Sequence, residues 1–306
     1  MTEANTGAAP MRAARLAVVA DIHHGADGLT KRGTAALGLM AEFARFVAEA
    51  KPDAVIDLGD RISDVDTETD LVLEAEVAAA FREISVPCLH ICGNHDRDHL
   101  TVAQNEAILG QSLGHATLDI GGWRIVLWRA DSRIRRVAAE GFYGFVLAEA
   151  DLLWLDGVIR AADRPLAIMS HVPVSGHAQT GNYYFERNPL AATYPGTDRL
   201  RAVLRAATVP VMWLAGHVHW NTWTTMDGIP HFTMQSLTES FTTNPEPAGA
   251  WALLELDSRI ALTVFGRDGF AASLDAAATL RRWVPPLPVF GALADHGRSR
   301  GVRHGV

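Results

Sequence analysis

The sequence predicts an α/β protein, and three observations carry that expectation. Short apolar runs alternate with amphipathic helical stretches from residue 14 onward, as in sheets whose strands are buried on both faces. Each run breaks off at a cluster of polar residues. The 306 residues, 48% hydrophobic and 20% charged, suit one large soluble domain, or one domain with a small extension.

Residues 1–13 are small and polar and read as a flexible leader to a domain spanning 14–270. They lack the basic start and apolar core of a secretory signal. Residues 14–20 (ARLAVVA) form the first strand, which ends at Asp21-Ile22-His23-His24-Gly25. Leu37, Met40, Ala41, Ala44 and Val47 then recur at helical spacing up to Pro52. Residues 54–58 are the second strand, ending at Gly59-Asp60-Arg61. A helix over 71–84 and a strand over 86–91 follow, and that strand ends at Gly93-Asn94-His95-Asp96. Open α/β sheets form ligand sites where the C-terminal strand ends fan apart. Three such endings in succession point to a site there.

The second half changes rhythm. Residues 116–120 and 123–130, joined by Gly121-Gly122, predict an antiparallel hairpin. Residues 148–161 place Leu152, Leu155 and Ile159 on one helix face, and 165–170 is a strand ending at His171. The connection 173–197 is long enough to suggest a working loop, and it carries Tyr183-Tyr184-Phe185-Glu186-Arg187. A helix over 198–207 leads to a strand over 210–215 that ends at Gly216-His217-Val218-His219. Strands are expected at 221–225, 229–234, 251–256 and 260–265. A C-terminal extension over 271–306, a candidate oligomer contact, holds one amphipathic piece at 276–283.

The formal charge of −8 argues against a general nucleic-acid or membrane-surface binder. No apolar run approaches the ~20 residues of a membrane span. Cys88 and Cys92, four apart in a strand, would lie about 13 Å apart at ~3.3 Å per residue, too far for a disulfide. Two buried thiols fit a reducing, cytoplasmic setting.

Asp21, His23, Asp60, Asn94, His171, His217 and His219 all end strands, with His95 alongside. Any one of them alone fits ordinary turn polarity. Together they form the mixed carboxylate, imidazole and amide set that a pair of Mn, Fe or Zn ions requires, with one carboxylate able to bridge.

The order DxH, GD, GNHD, H, GHxH from Asp21 to His219 resembles the calcineurin-like metallophosphoesterase superfamily. The resemblance implies a four-layer α/β/β/α sandwich with mixed β-sheets. It also implies that Asp21, His23 and His219 bind one divalent ion, that Asn94, His171 and His217 bind a second, and that Asp60 bridges them. His95 would face the substrate phosphate and assist the leaving oxygen, and Asp96 would orient His95. The expected reaction is in-line attack on phosphorus by a hydroxide generated at the metals.

Ala130-Asp131-Ser132, Gly141-Phe142-Tyr143-Gly144 and Leu153-Trp154-Leu155 are similar to stretches of the bacterial class III cyclic-nucleotide and glycerophosphodiester phosphodiesterases. A phosphodiester substrate is therefore expected. A phosphomonoesterase or nucleotidase, or a non-catalytic scaffold, is the alternative. His24 follows the DxH element where those enzymes have leucine, and Val172-Pro173 follows His171 where they have a second histidine. His24, Tyr183, Tyr184 and Arg187 join Asn94 and His95 as candidate substrate contacts. The tyrosines would stack on a base and the guanidinium would fork onto phosphate. The partner expected is a small phosphoester.

Overall fold

The computed structural model of the chain describes residues 12–137, 142–176 and 181–284, apart from the side chains of residues 136, 137, 142, 143 and 183. The leader up to residue 11, Gly141 and the tail beyond 284 lie outside the described residues.

The first half runs β1 (Ala14–Val19), α1 (Ala36–Ala50), β2 (Ala54–Asp57), α2 (Thr67–Arg82), β3 (Cys88–His90), α3 (His95–Asp98) and α4 (Val102–Leu109). Next come β4 (Ala116–Ile120), β5 (Trp123–Leu127), the short β6 (Arg135–Val137) and β7 (Phe142–Gly144), α5 (Glu149–Arg160) and β8 (Leu166–Ser170). The connection after β8 contains α6 (Tyr183–Arg187). The chain continues through α7 (Thr197–Arg205), β9 (Val211–Ala215), β10 (Thr222–Met226) and β11 (Ile229–Thr233). It closes with β12 (Trp251–Leu256), β13 (Arg259–Phe265) and β14 (Phe270–Asp275).

Two six-stranded mixed sheets result, ordered β14-β13-β12-β1-β2-β3 and β10-β11-β9-β8-β5-β4. Strand alternation builds the layers. In β1, Leu16 and Val18 join Ile125, Met169, Leu214 and Leu254 in the core between the sheets. Ala17 and Val19 point the other way, onto Met40 and Phe43 of α1 and Val77 of α2. The second sheet repeats the arrangement outward: Val126, Ile168 and Trp213 pack on Leu155 and Ile159 of α5 and Leu200 and Leu204 of α7. Each fully buried aliphatic side chain contributes about 1.5–3 kcal/mol. The product is the four-layer α/β/β/α sandwich.

Some elements differ from expectation. Helix α4 was not anticipated, although Thr101 and Gln104 close a capping box at its start. The boundary expected at residue 270 falls where β14 begins. That strand pairs with β13, and the turn after it is tied in by Val211 N–H donating to Thr279 Oγ1 at 3.1 Å. The hydrophobic periodicity of β14 is too short to separate it from a tail in sequence. Both cysteines are free, and burial pushes each thiol up to about 12.

Candidate metal centre

The polar groups that end β1, β2, β3, β8 and β9 meet at one edge of the sandwich. The backbone there is held in an uncommon conformation. Asp21, His23, Asp60, His217 and His219 all adopt positive φ, at 53, 47, 56, 69 and 50°. Such non-glycine positions cost about 1–3 kcal/mol each and persist only where the surroundings dictate them. Here they do: Asp21 N–H donates to Gly59 O at 2.9 Å and His23 N–H to Asp60 O at 3.0 Å. His217 N–H donates to the Asp21 carboxylate at 3.0 Å. Gly93 permits a close approach at this edge, since a Cβ there would lie 2.0 Å from Asp60 Oδ1.

Two groups of side chains could each hold an ion: Asp21, His23, Asp60 and His219, and Asp60, His171 and His217. Asp60 belongs to both. His95 N–H fixes its Oδ1 at 2.9 Å, which leaves Oδ2 between His171 Nε2 at 3.4 Å and His23 Nε2 at 3.7 Å. His219 Nε2 lies 3.2 Å from Asp21 Oδ1 and 3.0 Å from His23 Nε2. Asn94 Oδ1 lies 3.4 Å from His171 Nε2, beside the second group.

The imidazoles are oriented as metal ligands require. His171 Nδ1–H donates to Leu58 O at 2.9 Å, and His219 Nδ1–H to Glu239 Oε2 at 3.0 Å, so each Nε2 lone pair faces the carboxylates. His217 Nε2–H donates to Ala191 O at 2.7 Å, which leaves its buried Nδ1 without a hydrogen-bond partner. These tautomers follow from the partners. An orphaned buried imidazole nitrogen and a shared carboxylate are what a pair of divalent cations would satisfy, so the residues fit such a centre.

Asp60 is the focus of the site's charge. Burial would raise the Asp60 carboxyl, but His171, His95 and His23 hold it well below the usual range. Burial would lower His171, and Asp60 reverses this and raises it to about 9. Burial brings His217 down to about 3. Burial, followed by Lys31, takes His23 well below an ordinary histidine.

A cavity of about 340 Å³ opens above these groups. Asp60, Asn94, His217, His219 and Glu239 form its polar floor, and Leu29, Ile134, Tyr184, Phe185 and Phe241 its apolar walls. His95 and Lys31 line it too, with Lys31 Nζ 3.4 Å from His95 Nε2.

The structure redirects several sequence expectations. The Asp96 carboxylate is taken up by backbone donors, and the hydrogen-bond partner of His95 Nδ1 is Asp64. Asp96 accepts from the backbone N–H groups of Asp60 (2.9 Å), Arg61 (2.8 Å) and Gly93 (2.8 Å), because the short helix starting at His95 turns it back under the loop. His24 Nε2 pairs with Glu76 at 2.6 Å, and His24 is not among the residues lining the cavity. Arg187 is exposed on α6 and is likewise absent from the lining. Tyr184 does line it, while the side chain of Tyr183 lies outside the described residues.

Sequence reasoning missed Asp64, Lys31 and Glu239. Glu239 had a signal: Gln235, Ser236, Thr238, Glu239 and Ser240 follow the strand expected at 229–234, and all are buried. Because β11 runs parallel to β9, its end delivers that polar run to the same edge.

A sandwich that gathers two candidate ligand groups around one carboxylate suggests a dinuclear metal centre. The model of the calcineurin-like phosphoesterases matches residues 14–221, and the chain belongs to that family. Among solved structures, the chain is similar to a dimetal phosphatase from Danio rerio, with 18% identity and a TM-score of 0.71, covering 88% of this chain and 100% of that one. It is also similar to GAP50, the anchor in the inner membrane complex of Plasmodium, with 12% identity, a TM-score of 0.53, and coverage of 91% and 98%. At these identities the likeness concerns the fold. No curated protein sequence matches the chain. Family and ligand set together support a metal-dependent phosphoesterase. No helix among the described residues is long and apolar enough to cross a membrane.

Proposed function

We propose that the chain hydrolyses phosphodiesters at a dinuclear centre. The observation that carries this reading is the position of Asp60 Oδ2, shared by two groups of buried ligands at the floor of an open cavity. In it, Asp21, His23 and His219 hold one ion, Asn94, His171 and His217 hold the other, and Asp60 is common to both. Two divalent ions bound there would polarise the phosphoryl oxygens and activate a water for in-line attack. The mixed imidazole, carboxylate and amide donors suit Mn, Fe or Zn.

His95 is the proposed leaving-group residue. Its Nε2 lies 4.0 Å from Asp60 Oδ2 and faces the cavity, while Asp64 holds the opposite nitrogen and fixes the ring. His95→Gln should lower kcat by about 10²–10⁴-fold, the usual range for a group that moves a proton to or from the leaving atom. Elemental analysis should find its metal content unchanged. Unaltered turnover would remove His95 from the reaction.

The apolar walls around Tyr184, Phe185 and Phe241 support an organic group on the phosphate. Wild-type turnover of bis-p-nitrophenyl phosphate should therefore exceed that of p-nitrophenyl phosphate. The reverse order would select the monoesterase reading, which the lysine on the cavity wall favours. A scaffold on the same fold would turn over neither ester and retain no metal. The complete donor set argues against that outcome, because fold alone does not specify chemistry.

A further inference from the structure

The cavity carries a cation that the metal-ligand pattern does not account for. Lys31 is half-buried on the loop after β1, and its Nζ lies 3.4 Å from His95 Nε2 at the mouth of the ligand groups. The loop is tied down on the far side. Lys31 forms a backbone bridge with Glu239, Arg32 N–H donates to Thr238 O at 2.9 Å, and Ser240 Oγ–H donates to Thr30 O at 2.6 Å. The ammonium is therefore presented from a fixed backbone.

Asp60, Glu239, Asp21 and Asp64 all act on this ammonium. Each of these carboxylates has another claim on it. Asp60 and Asp21 belong to the ligand groups, Glu239 accepts from His219 at 3.0 Å, and Asp64 pairs with His95. With divalent ions in place, the first two would be neutralised. A cation beside the substrate phosphate is then left to be balanced by the phosphate itself. A flexible ammonium acts as a point charge rather than a fork, so it reads the amount of charge more than its shape.

Building on the phosphoesterase reading, we propose that Lys31 is the specificity-determining residue that senses the second negative charge of a phosphate. It raises activity on dianionic phosphomonoesters relative to monoanionic diesters, against the diester preference set by the apolar walls, and so tunes the ratio between the two activities of the one site.

The test compares p-nitrophenyl phosphate with methyl p-nitrophenyl phosphate at pH 8, which share a leaving group and differ by one charge. Lys31→Met should lose kcat/KM on the dianion by about 10- to 100-fold more than on the monoanion, the scale of one charge-assisted hydrogen bond. Lys31→Arg should recover most of the ratio. Because both substrates are measured on one preparation, the ratio does not depend on the fraction of folded enzyme.

Calorimetric titration of inorganic phosphate into metal-loaded protein gives a readout apart from turnover. Lys31→Met should weaken phosphate binding by a similar factor and leave dimethyl phosphate unaffected. An unchanged substrate ratio with unchanged phosphate affinity would overturn the proposal while leaving the phosphoesterase intact. If the wild type turns over neither ester, the phosphoesterase reading fails and phosphate affinity alone decides the role of Lys31.

Discussion

Asp60→Asn is expected to empty at least one of the two ligand groups and to lower turnover by more than about a hundredfold. Changes to residues that merely orient metal ligands cost about 10–100-fold, so a shared ligand must exceed that. Asparagine is the informative replacement. It tolerates the left-handed backbone that Asp60 adopts at φ 56°. It also keeps an Oδ1 to accept from His95 N–H, now at 2.9 Å. The change then removes one charge and one anionic oxygen while the loop keeps its shape. Elemental analysis and turnover, measured on the same sample, check the prediction. Full occupancy at both groups would mean that Asp60 does not bridge.

The second large effect lies behind the site. Arg61→Met should destabilise the fold by about 3–5 kcal/mol, the cost of leaving buried charge without its partner. Arg61 is fully buried, and its guanidinium donates to Glu74 at 2.6 Å, Asp57 at 2.8 Å and Ile91 O at 2.9 Å. It also lies 3.3 Å from Asp96. Methionine restores much of the stem volume, so the loss would be electrostatic. Burial already holds Glu74 up to about 7 against the pull of Arg61. Its pKa in the fold thus exceeds that of an unfolded glutamate, and ionising it costs folding energy as pH rises through 7. The deficit of Arg61→Met should therefore be larger at pH 8 than at pH 6. Urea unfolding at both values tests this, and an equal loss at each would indicate packing rather than charge.

These two residues are neighbours, and the structure explains why. Asp96 accepts from the backbone of both Asp60 and Arg61, and the Arg61 guanidinium returns to Asp96. The ionic cluster clamps the turn after β2 to the turn after β3. It thereby holds Asp60 and Asn94 at a fixed spacing. Asp96 is a support for the metal-site loops rather than for His95.

Much of this was legible beforehand. Apolar runs of four to seven residues marked the central strands, because a strand covered on both faces admits little else. Their polar endings named Asp21, His23, Asp60, Asn94, His171, His217 and His219, and the structure places all seven at one edge. Adjacency in sequence was a poorer guide. It tied His95 to Asp96, whereas the helical turn at His95 sends the two side chains apart and Asp64 takes the pairing. Tyr184 reaches the cavity, but Arg187, three residues along the same short helix, is not among its lining residues.

The sequence by itself marked the central strands, their succession along the chain and the residues that finish them, because periodicity and turn chemistry are local, while the four layers were implied only by the family resemblance. Tertiary structure decided which of those endings meet and what stands opposite them. The parallel course of β11 brought Glu239 to His219, and the loop tied to residues 238–240 brought Lys31 over His95. Neither pairing leaves a local trace, since each joins residues distant in the chain through a backbone register that only the packed sheets impose.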